Sequence, residues 1–306
     1  MIIRQSDLAS YQYCAQQVKL KADAKRDGWR EPVLSATARG TVLHFAFQVL
    51  QKLHHEGRED ALSVALATFE HYWEPDHISE ISEGPVTEWI GHDTWGGLLQ
   101  RSLGNLRAAY EWVKKDKSVL LGLEHSFDVP IVIDDEEHTL HGTIDRLALR
   151  MINSRPVLGV DDLKGYRRKK SHLDWATQWT LYSYASLAPE FWEPFYADDA
   201  VAEGFADVID RLDRRGLALY PALSNNEAIP RTGRLLWAWD GFQVLNTGYR
   251  GEPHYARLRA HLREYIKAVR ADVYPLTVDG FICSYCPFGN GICGGAPLPQ
   301  RQEGID

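Results

Sequence analysis

Cysteine and methionine are scarce in this chain, four and two among 306 residues, and no run of apolar residues approaches the roughly 18 that a membrane-spanning helix requires. The opening residues, MIIRQSDLAS, lack the charged, apolar and small-residue order of a signal peptide. Together these absences lead to the expectation of a cytosolic protein with no membrane partner. There is no glycine-rich nucleotide loop, no helicase-type lysine motif and no serine or cysteine arrangement suited to nucleophilic catalysis. Internal repeats and low-complexity segments are also missing. Positive charge is not in excess either: the net charge is −8, so any contact with nucleic acid must come from a local basic patch.

What is present suits a folded enzyme-sized domain. Hydrophobic residues make up 44% of the chain, enough for a sizeable core. SDLASYQYCAQQVKLKADAKRDG reads as one helix capped by Ser6 or Asp7, carrying Cys14 and ending at Gly28. RGTVLHFAFQVLQKLHHEG places apolar residues at helical intervals, with His44 between two of them and Gly57 as terminator. Further helices are expected near 60–73 and 97–116.

The pattern then changes. SVLLGLEHSFDVPIVI, HTLHGTIDRLALRMI and PVLGVDDLKG are β-rich runs separated by turn residues, the simplest arrangement being three consecutive strands. A helix follows in LDWATQWTLYSYASLAPEF, with Asp174 as its cap. Another is expected near 198–215, then strand-like LALYPAL and RLLWAWDGF, a loop in SNNEAIPRTG between them, and a long helix near 253–271. The order points to a mixed α/β core wrapped by helices.

Asp145, Asp162 and Lys164 carry the chemistry. Strand side chains alternate, so Asp162 and Lys164 share a face while Leu163 points away. Aspartate within an apolar strand is disfavoured unless paired or bound to metal, and hard divalent ions take carboxylate oxygens, water and substrate phosphate. The plainer reading makes the aspartates turn residues and Lys164 a solvated edge charge. Asp161 competes with Asp162 for the same role, although period-two geometry with Lys164 favours Asp162. A histidine such as His44 on an apolar helix face is commonly a satisfied core residue.

Four short patterns occur in order: Gly-x-x-x-His from Gly40 to His44, Gly-x-x-Asp from Gly142 to Asp145, Asp-x-Lys from Asp162 to Lys164, and Gln-x-x-x-Tyr from Gln178 to Tyr182. Over residues 40–185 this arrangement resembles the RecB-like branch of the PD-(D/E)XK nuclease superfamily. The resemblance implies a restriction-endonuclease-like α/β fold, a mixed central β-sheet flanked by helices, whose N- and C-terminal segments join at a cysteine-bound cluster. Residues 1–306 would form a single nuclease domain, with 1–35 and 273–306 binding the cluster, 36–190 forming the core and 191–272 elaborating it.

The implied activity is that of a metal-dependent DNA exonuclease acting on ends or single strands, in recombination, repair or CRISPR-type DNA processing, without an ATP-driven motor. His44, Asp145, Asp162 and the Leu163 carbonyl would hold Mg²⁺ or Mn²⁺, and Lys164 would assist the attacking water. Gln178 and Tyr182, one helical turn apart, would contact the lysine or a DNA phosphate. Glu124 lies where members often carry a glutamate on the first strand, its role left open. Directly after the metal strand, YRRKK places Arg167, Arg168, Lys169 and Lys170 where DNA phosphates would pass.

CSYCPFGNGIC brings Cys283, Cys286 and Cys293 within eleven residues, far from Cys14. Four thiolates suit either zinc or an iron–sulfur cluster. One cysteine before the core and three after it resemble the iron–sulfur subset of the same superfamily, which includes CRISPR-associated RecB-like exonucleases and AddB-type nucleases. There a [4Fe-4S] cluster staples the chain ends. Many members have five residues in the last gap where this chain has six. A second reading is a non-catalytic or partner-dependent DNA-binding subunit of a recombination or spacer-acquisition complex, and a third keeps the fold but makes the tail a zinc knuckle. Trp175, Trp179, Trp237 and Trp239 could stack on bases, but the alternation in LLWAWDGF favours packing.

Overall fold

The computed structural model describes residues 1–27, 33–74, 76–81, 86–88, 94–153, 155–165, 176–197 and 229–275, together with Asp210, Leu223, Cys286, Phe288 and Cys293. Strand β1 (Ile2–Arg4) leads into α1 (Gln5–Tyr13) and α2 (Ala15–Arg26). A two-residue strand β2 (Val33–Leu34) precedes α3 (Ser35–His55), α4 (Ala61–Trp73), the single turn α5 (Ile78–Ile81), β3 (Val86–Glu88) and α6 (Trp95–Val113). The meander β4 (Val119–Ile133), β5 (Glu136–Ile152) and β6 (Arg155–Lys164) follows, then α7 (Thr177–Ala185), a 3-10 turn at Pro189–Trp192 and α8 (Pro194–Ala197). The described chain closes with β7 (Arg231–Trp237), β8 (Gln243–Arg250) and α9 (Glu252–Ala271). None of these helices is long and apolar enough to cross a membrane.

The result is an α/β fold with a curled mixed sheet flanked by helices. β5 is its spine. Along one edge β5 pairs antiparallel with β4; along the other it takes β1 in parallel at Thr139–His141 and β6 antiparallel from Arg146 to Ile152. β7 then adds in parallel to β6, and β8 antiparallel to β7. The β4–β5 turn is tight because Asp134 and Asp135 both adopt positive φ, as a two-residue primed turn requires. β6 and β7, inside the sheet, are buried on both faces, so β7 does not show the alternation expected of RLLWAW.

The three central strands and the helices α3, α4, α6 and α9 lie close to their expected positions. Other expectations need correction. The N-terminal helix is two helices, since Cys14 has extended dihedrals (φ −159°, ψ 113°) and breaks it. Within residues 1–35, β1 is a strand of the main sheet. β7 begins at Arg231, inside the stretch read as a loop, and β8 went unread. α7 starts at Thr177 with Ala176 as its cap. Asp174, the expected helix near 198–215 apart from Asp210, and all of LALYPAL except the buried Leu223 lie outside the described residues.

One buried charge cluster binds the central strands together. Asp161 of β6, fully buried, accepts two hydrogen bonds from Arg234 of β7 (Nε 3.1 Å, Nη2 2.6 Å) and one from Arg146 of β5 (2.7 Å), with Arg150 at 3.6 Å. Arg146 also reaches Asp116 at 2.7 Å, and the guanidinium groups of Arg146 and Arg234 each lie 5.2 Å from the Trp112 ring of α6. Burial alone would push the Asp161 carboxyl up, yet Arg234, Arg150 and Arg146 hold it down at about 2. Its contribution to stability is therefore complete above the unfolded value of about 3.9 and is lost as pH falls from there towards 2. Asp161→Asn, which leaves three arginines under-compensated, should cost about 3–5 kcal/mol in urea unfolding near neutral pH. The deficit should shrink on acidification over that window.

Candidate metal centre

α3 delivers the histidine. Its core stripe runs through Ala38, Val42, Leu43, Ala46, Phe47 and Leu50, all buried, while His44 sits on the neighbouring side with its side chain 25% exposed. Arg39 fixes the start of the helix against the sheet. Fully buried, it donates to the carbonyls of Gly165 (2.5 Å) and Ala238 (3.0 Å) and to Ser102 Oγ (2.8 Å), which ties α3 to the residues that follow β6 and β7. Sequence reasoning missed this anchor. A signal was there, because Arg39 stands three and four residues before Val42 and Leu43, a charge on the apolar stripe.

β4 and β5 supply two carboxylates. The pairs Leu123↔Arg146 and His125↔Ile144 set Glu124 opposite Asp145. Glu124 has φ +47°, a left-handed conformation that costs a residue with a Cβ about 1–3 kcal/mol. His44 Nδ1 stands 3.4 Å from Asp145 Oδ2 and 3.9 Å from Glu124 Oε1. One donor atom from each of His44, Glu124 and Asp145 lies within 4.8 Å of the others, the spacing of a metal-ligand set. Glu124, whose role the sequence left open, stands beside His44 and Asp145.

Asp145 also holds the neighbouring strand. The β5–β6 ladder reaches Arg146↔Asp161, and the next N–H, that of Leu163, is bonded by Asp145 Oδ2 at 2.6 Å. In an extended strand the N–H and C=O of one residue point to the same edge. The Leu163 carbonyl therefore opens on the side where Asp145 stands.

Asp162 points away from the arginines that hold Asp161, and is fully buried. Its Oδ1 accepts from Lys164 Nζ (2.8 Å) and from Gln178 Nε2 (2.6 Å), and Gln178 bonds the Tyr182 hydroxyl at 3.1 Å. Gln178 thus reaches the aspartate and not the lysine. Burial raises the Asp162 carboxyl against the pull of Lys164. Burial would lower the Lys164 ammonium, but Asp162 and Asp145 overcome it and raise it. Burial, reinforced by Asp162, raises the Tyr182 phenol. The glycine of Gly-x-x-Asp makes this packing feasible: a Cβ at Gly142 would lie 2.8 Å from the Phe127 ring and 3.3 Å from that of Tyr182.

Two features fit a divalent cation. Asp162 Oδ2 is buried without a hydrogen-bond partner, a costly state for a carboxylate oxygen. Asp145 and Asp162 share Lys164 as their one ammonium among the described residues, and His44 stands between Asp145 and Glu124, so three carboxylates gather around few positive groups. Burial also raises the stakes, since an unmatched charge is worth more in a low dielectric. The residues that complete this balance are oxygen and imidazole donors, which suit Mg²⁺ or Mn²⁺.

The remaining site residues are placed unevenly. Tyr166, Arg167, Arg168, Lys169 and Lys170 lie outside the described residues, as do Cys283 and Trp175. Trp179, Trp237 and Trp239 are buried, as packing residues are. Cys14 is buried at the start of α2, where backbone N–H groups favour negative charge. Gln17, three residues on, donates to Cys286 Sγ at 3.8 Å, which places Cys286 at the first turn of α2. Cys14 and Cys286 are not joined in a disulfide. The donors are of the kind that iron–sulfur clusters and zinc both accept.

Titration with Mn²⁺ followed by calorimetry should show one site. His44→Ala, Glu124→Gln, Asp145→Asn and Asp162→Asn are each expected to weaken it about tenfold or more. Asp162→Asn, unlike Asp161→Asn, should leave unfolding free energy unchanged or raised, because it removes a buried charge with an unpartnered oxygen.

No family model matches the chain, and no curated protein matches it. Among solved structures, the crystal structure of SSO0001 is similar over 85% of this chain and 84% of its own, at 12% identity and a TM-score of 0.33, a likeness that carries no weight for the site.

Proposed function

We propose that this protein is a divalent-metal-dependent deoxyribonuclease, an exonuclease that hydrolyses phosphodiester bonds at DNA ends or in single strands. The observation that supports it most is the meeting of His44, Glu124 and Asp145 donors beside Asp162, whose other oxygen orients Lys164. In this reading His44, Glu124, Asp145, Asp162 and the Leu163 carbonyl hold Mg²⁺ or Mn²⁺. The bound ion would supply Lewis acidity to a phosphodiester oxygen and a more acidic water.

The chain's own groups do the rest. Lys164 keeps its proton next to two carboxylates and presents positive charge where an attacking water and the crowded phosphorus need it. Asp162 fixes the direction of that ammonium, and Gln178 fixes Asp162. Tyr182, held neutral by burial, accepts a hydrogen bond from Gln178 Nε2 at its hydroxyl and so completes the brace. Water adds to phosphorus, the ester P–O bond breaks, and the products are a phosphomonoester and a hydroxyl. The basic run Arg167–Lys170 would hold flanking phosphates.

The same reading assigns Cys14, Cys283, Cys286 and Cys293 to a [4Fe-4S] cluster with a structural role, closing a long stretch of chain between its ends. The Gln17 to Cys286 contact supports it, because it brings Cys286 to the helical turn that follows Cys14.

Two experiments test these assignments. End-labelled linear DNA with Mg²⁺ or Mn²⁺ should be degraded while covalently closed circles are spared, and Lys164→Ala should lower the rate about a hundredfold or more with Mn²⁺ affinity retained. A clean Lys164→Ala preparation that still cuts would sink the assignment of Lys164. Protein purified without oxygen should be brown, with broad absorption near ~400 nm, and Cys14→Ser should bleach it. A colourless wild type containing zinc would instead make the tail a zinc site, since zinc has a filled d shell.

A further inference from the structure

The metal centre opens onto a cavity of about 470 Å³ whose wall is one stripe of α3. Thr37, Gly40, Thr41, Phe45 and Gln48 recur at the helical intervals that place side chains on one face, and Ile81 adds an aliphatic side chain to the lining. His44 and Glu124 belong to the same lining, so the cavity begins where the metal ligands end. Among the described residues that line it there is neither lysine nor arginine.

Gly40 has no local explanation. Glycine in a helix interior is less stable than alanine. A Cβ built at Gly40 meets nothing within 4 Å, and its φ is not in the left-handed region. Neither packing nor backbone conformation therefore calls for glycine, and what its missing side chain leaves is open space in the cavity wall. Phe45 is held edge-on against Tyr72, with ring centroids 5.1 Å apart, which fixes a flat apolar surface close to that space.

Hydroxyls and an amide can bond a phosphate, but this lining offers no lysine or arginine among its described residues and includes the Glu124 carboxylate, so a phosphate's charge would go uncompensated there. Its two hydroxyls, amide, aromatic ring and aliphatic side chain suit the flat face and polar edges of a base together with its sugar. A base stacked and paired in a duplex cannot enter a concave site of this kind without leaving the stack. We propose that this cavity is a nucleoside subsite for an unpaired nucleotide adjoining the scissile phosphate, so that the substrate is a single strand and Gly40 and Phe45 are substrate-positioning residues. The inference rests on the nuclease reading of the metal centre.

The test is binding, measured in a Lys164→Ala background with Mn²⁺ so that cleavage does not interfere. Fluorescence anisotropy with a labelled oligothymidylate should show tighter binding than a blunt hairpin duplex carrying the same label. Gly40→Leu, which fills the cavity, should weaken the single-strand affinity on the order of tenfold or more, with melting temperature and Mn²⁺ affinity maintained. Gln48→Trp fills the same space from another residue, and keeps the test decisive if Gly40→Leu does not fold. Equal affinity of parent and filled variants overturns the subsite. So does equal binding of the blunt duplex, or no binding of either probe. Hydrolysis of bis(p-nitrophenyl) phosphate by the wild type separates the two failures, because that diester has no nucleoside. A wild type inactive on it and on DNA, whose filled variants still lose single-strand binding, contradicts the nuclease reading and supports the subsite.

Discussion

Asp161 is the residue to which the central strands are tied. Three arginines from β5 and β7 converge on its buried carboxylate, Asp116 takes the second hydrogen bond of Arg146, and Trp112 covers two of the guanidinium groups. Such a cluster is costly to bury and more costly to leave incomplete, so it disfavours every alternative pairing of these strands. A slip of β6 by one residue would turn Asp162 into the arginines and Asp161 out of them. The adjacent aspartates of VDDLK thus have separate work, one fixing register and the other serving the opposite face.

The opposite face is built on incomplete compensation. Asp162 has one oxygen satisfied by Lys164 and Gln178 and one satisfied by nothing. Glu124 is held in a conformation that strands avoid, and Asp145 is bonded to a backbone N–H of the next strand. The unpartnered Asp162 oxygen and the left-handed backbone at Glu124 each cost stability, and in the proposed reading a bound cation offsets them. The braces around it are complete by contrast: Arg39 has three buried acceptors, and the Gln178–Tyr182 pair joins α7 to β6. A rigid frame around an unsatisfied centre is what preorganised binding of a cation requires.

Much of this was visible in the residues. Alternation placed Asp162 and Lys164 together, helical spacing placed Gln178 and Tyr182 one turn apart, and apolar periodicity outlined α3 with His44 on it. Contacts distant in sequence were not visible. β1 pairs with β5 across some 137 residues, and three residues of strand carry too little pattern to announce it. β8, QVLNTGYR, is an edge strand of mixed polarity, and the polar stretch before β7 hid its first residues. Cys14 ends one helix and starts another although its neighbours have ordinary helix propensity, because tertiary placement overrides that weak local preference.

The sequence by itself determined the kinds of element and the residues able to bind an ion, because period two and period 3.6 are local properties of the chain. Tertiary structure alone decided which carboxylates meet. Alternation favours Asp162 as the partner of Lys164, but only three arginines from two other strands show what holds Asp161 on the opposite face. Glu124 joins His44 only because β4 is in register with β5 and the backbone turns left-handed at that residue. The cavity of α3 exists only once the sheet has set the helix in place. Energies that depend on partners hundreds of residues away, or on charge in a low dielectric, are written in the assembled fold and not in any short window of the chain.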